Sequence, residues 1–317
     1  MSRPTVLLTD NDLGDRRLET DLLVSALDAE VIAADCSTED DVLQQVLATR
    51  PDAIITQWAP ITRRVLEAAT QCRIVSRVGI GIDMIDVDAA ADLGVEVRNV
   101  PHYCTEEVAT HAVAMAMALW RRLPQFDADL RSGNWNAAAG ASSISRLSDA
   151  TIGIVGGGRI GMMVARAFEV WGARIVVVDP VVGEDGYARV SKDELAATAD
   201  VISLHAPLVP QTRHFIDASF IARAEKRPII VNTSRGGLID IDAVVEALHA
   251  GSLRAVGLDV FEPEPLALDH PIRRAPNALL APHAAWCSDA ALPELRRGAV
   301  MNVVDALQGT DLTRVSA

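Results

Sequence analysis

The chain has 317 residues, half of them hydrophobic, with 29 basic and 43 acidic side chains and a formal net charge of −14. That length is enough for two domains, each with its own core. So acidic a surface repels nucleic acid and anionic membranes, which argues against direct nucleic-acid binding, and no apolar run is long enough to cross a bilayer, the best candidate being 108–120.

The first residues read as a short strand over 6–8 and not as a secretion signal. The four cysteines, Cys36, Cys72, Cys104 and Cys287, have neither pairing nor metal-ligand spacing. They read as reduced, mostly structural thiols of a cytoplasmic protein, with no bound metal expected. Up to residue 100 one theme repeats. Apolar strands at 6–8, 31–34, 53–56, 74–75 and 95–97 alternate with helical stretches at 19–27, 40–48 and 60–70. Alternating β and α segments imply a parallel sheet covered by helices. The turn Arg77-Val-Gly-Ile-Gly-Ile-Asp83 closes the fourth strand. Gly79 and Gly81 free the backbone there, so that its N–H groups can point at an anion, and Arg77 adds charge.

Pro101 breaks the strand pattern and marks a crossing point between domains. A strong helix follows over 108–122, apolar nearly all round and therefore buried, with His111, Met115 and Met117 read as core. Residues 123–150 are less regular, with a short helix over 126–131, and are expected to form a projecting arm or subunit contact.

A second α/β pattern begins at Thr151. The strand 152–155 runs into Gly156-Gly-Gly-Arg-Ile-Gly161, a G-x-G-x-x-G turn that opens a helix ended by Gly172, and the next strand ends on Asp179. Each part has a physical job in holding a dinucleotide. Gly156 allows the tight turn, Gly158 lets a pyrophosphate approach the backbone, and Gly161 lets the helix pack close to the strand. Arg159 and Ile160 open the helix, whose N-terminus favours the phosphates. Asp179 can accept both hydroxyls of an adenosine ribose and would repel a 2′-phosphate, so NAD is favoured over NADP. Further strands over 201–204, 229–231, 255–260 and 279–280 end on polar residues.

Three of these strand-end groups are Arg235, Glu264 and His283, and sheets of this kind gather ligands at that edge. Together they suit hydride chemistry at a carbon bearing oxygen. A histidine trades the proton near neutral pH. A carboxylate beside the imidazole orients it and favours its protonated form. A guanidinium grips a substrate carboxylate by two bonds and polarises the neighbouring carbonyl.

The chain is identified as resembling the D-isomer-specific 2-hydroxyacid dehydrogenases. The resemblance rests on Val78-Gly-Ile-Gly-Ile-Asp83, Gly153-Ile-Val-Gly-Gly-Gly-Arg-Ile-Gly161, Val231-Asn-Thr-Ser-Arg-Gly-Gly237, Gly257-Leu-Asp-Val-Phe-Glu-Pro-Glu-Pro265 and Ala281-Pro-His-Ala-Ala-Trp286. It implies an NAD-binding Rossmann domain, 102–286, inserted into a flavodoxin-like substrate domain, 1–101 with 287–317. It implies that Arg235 holds the carboxylate of a 2-oxo acid, and that His283 is the acid/base, paired with Glu264 and not Glu262. The Val78, Gly79, Ile80 and Gly81 turn, with Arg77, would hold the same carboxylate. His205, Ala206, Pro207, Thr212, Thr233, Ser234, Asp259 and Ala285 resemble the family's cofactor contacts, beside Arg235 and His283.

The Ala-Ala-Trp ending, with Arg77 before the glycine turn, is similar to the C-terminal-binding-protein branch, in which Trp286 would line the substrate pocket. That branch includes NADH-sensing corepressors, so an NAD(H)-controlled interaction protein is the alternative to an enzyme. A formate dehydrogenase of the same fold would pair its histidine with glutamine, which Glu264 argues against. The resemblance further implies a homodimer through residues 102–150. Feedback by a C-terminal regulatory domain beyond Ala317, of the kind long phosphoglycerate dehydrogenases carry, is not expected.

Overall fold

Every strand of the first sheet is a run of four or fewer residues, and the central ones, 53–56 and 74–77, are buried throughout, as a parallel sheet between helix layers requires, while the edge strand 30–33 is partly exposed. The computed structural model describes residues 3–141, 143–181, 183 and 186–309; Ala317 and Ser142 of the expected arm lie outside the described residues. The chain divides into two compact units, Met1–Tyr103 with Ser288–Ala317, and Cys104–Cys287. Both have the α/β build that the alternation of segments predicts.

In the first unit β1 (Thr5–Leu8), α1 (Arg17–Leu27), β2 (Glu30–Ala33), α2 (Glu39–Thr49), β3 (Ala53–Thr56), α3 (Arg63–Ala68), β4 (Ile74–Arg77), α4 (Val87–Asp92) and β5 (Glu96–Arg98) follow one another. The strands pair in the order β2-β1-β3-β4-β5, all parallel, which is the flavodoxin-like order. Thr38 starts α2 with a capping box closed by Asp41, and the Thr62 side chain caps α3. Three of the cysteines are buried, and burial pushes the Cys72 thiol up to about 12, so it packs as an inert side chain. Cys287 is exposed.

The second unit opens with α5 (Thr105–Trp120), α6 (Leu123–Arg131) and α7 (Ala138–Ala141). Its α/β run is β6 (Thr151–Val155), α8 (Arg159–Glu169), β7 (Arg174–Val178), β8 (Ala188–Arg189), α9 (Lys192–Thr198), β9 (Val201–Leu204), α10 (Ala218–Ala222), β10 (Ile229–Asn232), α11 (Ile241–Ala250), β11 (Ala255–Leu258) and β12 (Ala278–Leu280). The chain then returns to the first unit as α12 (Ala291–Gln308), which packs on α1, β3 and β4. The seven strands of the second sheet lie in the order β12-β11-β10-β9-β6-β7-β8, all parallel. Alternate residues fill two cores. Ile202, Leu204, Ile230 and Val256 pack on one face, and Ile152, Ile154, Val201 and Val231 on the other, against α5 and α8.

α5 corrects one expectation. It is not buried all round, because Glu106, Thr110 and Ala114, spaced four apart, form an exposed stripe. The strand order reverses between β6 and β9. Chains leaving those two strands diverge to opposite sides, which opens a crevice at their carboxyl ends.

Candidate active site

The glycine turn sits at that reversal. Gly156 has φ +97°, a conformation that side chains other than glycine rarely adopt. A Cβ there would lie 2.6 Å from the His205 carbonyl carbon, so the turn is pressed against the loop leaving β9. At Gly161 a Cβ would lie 2.1 Å from the Gly156 oxygen, which explains why α8 can start so close to β6. Gly158 differs, since a Cβ there would meet no atom within 4 Å. Open space therefore covers the backbone just before the N-terminus of α8, and Arg159, exposed, is its first residue. A pyrophosphate needs that space and those N–H groups, and the residues present fit it. Asp179 follows β7. Its Oδ2 accepts the Gly157 N–H at 2.5 Å and its Oδ1 the Val181 N–H at 2.7 Å.

The loop after β9 runs through His205, Ala206 and Pro207. The imidazole of His205 turns back to Ser203, Nε2 lying 2.8 Å from the hydroxyl. Burial pulls this histidine down to about 4, so it is neutral in the fold. Thr212 closes the loop by donating to the Pro207 carbonyl at 2.6 Å. Ser234 donates to the Ala206 carbonyl at 2.7 Å, tying this loop to the one after β10. Thr233 is buried beside it.

Asn232, fully buried at the end of β10, shapes the arginine loop. Its amide nitrogen donates to the Arg235 carbonyl at 2.8 Å, and its oxygen accepts the Ser234 N–H at 3.1 Å. Gly236 follows because a Cβ there would lie 2.1 Å from the Phe261 carbonyl carbon. The arginine loop and the Phe261–Glu262 segment are thus in backbone contact. Only the spacing of Asn232, three residues before Arg235, marks that clamp in the sequence.

Asp259, just beyond β11, is completely buried. Its carbonyl accepts the His283 N–H at 2.7 Å, its Oδ1 the Ala284 N–H at 2.8 Å and its Oδ2 the Ala285 N–H at 2.9 Å. These three bonds hold His283 in a left-handed backbone conformation, φ +54°. Expected as a cofactor contact, Asp259 has both oxygens on the backbone of the histidine turn. His111, expected in the core, lies beside it, Nε2 to Oδ1 3.7 Å.

His283 Nδ1 meets Glu264 Oε2 at 2.7 Å, while Glu264 Oε1 accepts the Phe261 N–H at 2.8 Å. Burial raises the Glu264 pKa, but the hydrogen bond and charge of His283, the Phe261 N–H and the charge of Arg235 outweigh it and hold the carboxyl below its ordinary value. Glu262, the other acid of the segment, pairs instead with Arg213 at 2.8 Å, both half exposed. Arg235, Glu264 and His283 therefore share one neighbourhood in the second unit. Trp286 lies two residues past Ala284 and is partly exposed.

The Arg77–Gly81 turn belongs to the first unit, and here the structure departs from the expectation. The Gly79 N–H does not point outward, because it donates to the Arg77 carbonyl at 3.0 Å. The Arg77 side chain is buried, donates to the Val78 carbonyl and lies 5.2 Å from the centre of the Trp58 ring. A Cβ on Gly79, φ +146°, would fall on the guanidinium itself. Ile80 accepts from the Asn99 side chain at 2.6 Å. Among the described residues no group of three or more His, Cys, Asp or Glu could hold a metal ion, and no helix is long and apolar enough to cross a membrane.

Comparison with known proteins points the same way. A family model described as the NAD-binding domain of D-isomer specific 2-hydroxyacid dehydrogenases matches residues 113–285. A D-3-phosphoglycerate dehydrogenase of Mycobacterium bovis is 37% identical over 290 residues, covering 89% of this chain and 53% of that protein, so the chain spans about half that relative's length. A glyoxylate reductase of Korarchaeum cryptofilum is 39% identical over 249 residues, 75% of this chain and 74% of the relative. The crystal structure of D-lactate dehydrogenase from Aquifex aeolicus, complexed with NAD and lactic acid, is similar with a TM-score of 0.85 at 28% identity, covering 96% of each chain.

Proposed function

The chain belongs to the D-isomer-specific 2-hydroxyacid dehydrogenase family, and from that premise we propose that it interconverts a 2-oxo acid and a D-2-hydroxy acid with NAD(H). The observation that carries the proposal is the 2.7 Å pair of His283 Nδ1 and Glu264 Oε2, in a neighbourhood shared with Arg235. With Nδ1 turned to Glu264, Nε2 is the atom that gives a proton to the carbonyl oxygen in reduction and takes it back in oxidation. Glu264 orients the ring and balances its charge. Arg235 grips the substrate carboxylate with parallel N–H bonds and draws electron density from the adjoining carbonyl. The nicotinamide, when bound, supplies or accepts the hydride at the carbonyl carbon.

Gly156, Gly158 and the start of α8 would hold the pyrophosphate, and Asp179 the adenosine ribose. The loops at 205–207, Thr212, Thr233 and Ser234 would line the cofactor. In the first unit the proposed substrate contact narrows to Ile80 and Gly81, because the Gly79 N–H and the Arg77 guanidinium are turned onto carbonyls of their own turn. Relatives named for glyoxylate and lactate make small 2-oxo acids the first to assay, beside hydroxypyruvate, branched and phosphorylated 2-oxo acids. A cytoplasmic homodimer is proposed as the working form. The exposed apolar side chains Leu123, Leu130 and Trp135 near residues 123–135 support self-association there.

The test is His283→Ala. It should cut turnover by orders of magnitude with little change in NADH affinity, whereas equal losses in both would overturn the assignment. Wild-type protein that binds NADH yet oxidises it with none of these acids would favour the NADH-sensing interaction protein, a resemblance that rests on Ala284, Ala285, Trp286 and Arg77.

A further inference from the structure

We propose that Arg189 opens the dinucleotide site to NADPH as well as NADH. The inference rests on the NAD(H) reading above and concerns the adenosine end of the same site. Ordinarily an acid at the end of the second strand selects the 2′-hydroxyl and repels a 2′-phosphate. Asp179 occupies that position, but it is not the sole charged group there.

A Cβ built on Gly157 would lie 3.3 Å from Asp179 Oδ2 and 3.6 Å from Arg189 Nη2. A carboxylate and a guanidinium therefore flank the same point of the glycine turn. The strand register explains how this arises. Arg189 on β8 pairs with Val177 on β7, two residues before Asp179, so the three side chains leave the sheet on one face. Arg189 Nη1 donates to the Tyr187 carbonyl at 3.3 Å, which anchors the guanidinium along its own strand. The carboxylate is anchored too, since each of its oxygens accepts a backbone N–H, from Gly157 and Val181.

The two groups serve two ligands. A 2′-hydroxyl needs an acceptor, and each carboxylate oxygen has more than one acceptor site. A 2′-phosphate brings negative charge and acceptor oxygens, and it needs donors in a planar fork, which a guanidinium provides. With both charges at one point, the repulsion expected from Asp179 alone is offset, and the phosphate has a partner.

The experiment titrates the purified full chain with NADH and with NADPH, following nicotinamide fluorescence, so that binding is read without turnover. The wild-type dissociation constants should lie within tenfold of each other; a larger gap overturns the proposal. Arg189→Ala should raise the NADPH-to-NADH ratio of dissociation constants at least fivefold, and any smaller change overturns it, because Arg189 would then neither offset Asp179 nor hold the 2′-phosphate. Arg189→Lys, which keeps the charge, should lie between the two, and circular dichroism checks that each variant is folded. A folded wild-type chain that binds neither dinucleotide would overturn the NAD(H) reading itself, and so separates that failure from a failure of Arg189.

Discussion

The largely enclosed histidine just beyond β9 sets the order of magnitude of the acid sensitivity. His205 is neutral in the fold because burial pulls its pKa from 6.5 to about 4. In the unfolded chain it regains the ordinary value. Between pH 6.5 and about 4 the unfolded state therefore binds a proton that the folded state does not, so stability is full above 6.5 and falls as the pH drops towards 4. At 1.36 kcal/mol per pH unit the whole gap is worth about 3 kcal/mol, of which about 2 kcal/mol is lost between pH 7 and pH 5. His205→Gln keeps a polar partner for the Ser203 hydroxyl and removes the titration. Thermal melts of wild type and variant at pH 7, 6 and 5 should diverge, the wild type losing about 4–8 °C more by pH 5. Parallel losses in the two proteins would refute the reasoning, as would a proton NMR titration of the His205 ring near 6.5.

Other substitutions separate fold from function. Gly158→Ala adds a methyl group to open space, so melting should hold within about 1 kcal/mol while NADH affinity drops at least tenfold. Gly161→Ala drives a Cβ into the Gly156 carbonyl and should lower both melting temperature and NADH affinity. Glu264→Gln should lower turnover about a hundredfold. In the wild type the contribution of the Glu264–His283 pair to stability is present above the ordinary carboxyl value of 4.5 and fades as the pH falls through the lower folded value, a dependence the variant should lack. Glu262→Gln breaks only the half-exposed pair with Arg213, so it should cost less than about 1 kcal/mol and leave turnover within twofold. Asp259→Asn replaces an acceptor of a buried backbone N–H with a donor; about 1–3 kcal/mol of stability should go, and turnover should fall more than NADH affinity.

The features that can be read from the sequence are those whose cause is local. Gly156 is required by its own left-handed backbone, φ +97°, and Gly161 by the Gly156 oxygen five residues before it, so their spacing announces the turn. The β-branched strands and the capped helices announce themselves in the same way. Strand β8 does not, because Ala188-Arg189 is a two-residue edge with no apolar run, and α4, Val-Asp-Ala-Ala-Ala-Asp, is a six-residue helix too short to show a periodic face. The site is harder to read because its causes are remote. Asp259 follows β11 and His283 follows β12, strands that pair in space although Asp259 and Ala284 are 25 residues apart, so nothing near Asp259 in sequence shows that its carboxylate will hold the turn at His283. The same remoteness hid His111 beside Asp259. Residue types name the chemistry available, whereas strand order decides which of them meet. A resemblance that carries strand order with it therefore pointed to Glu264 over Glu262, two acids whose local sequences, Glu-Pro in each case, are the same.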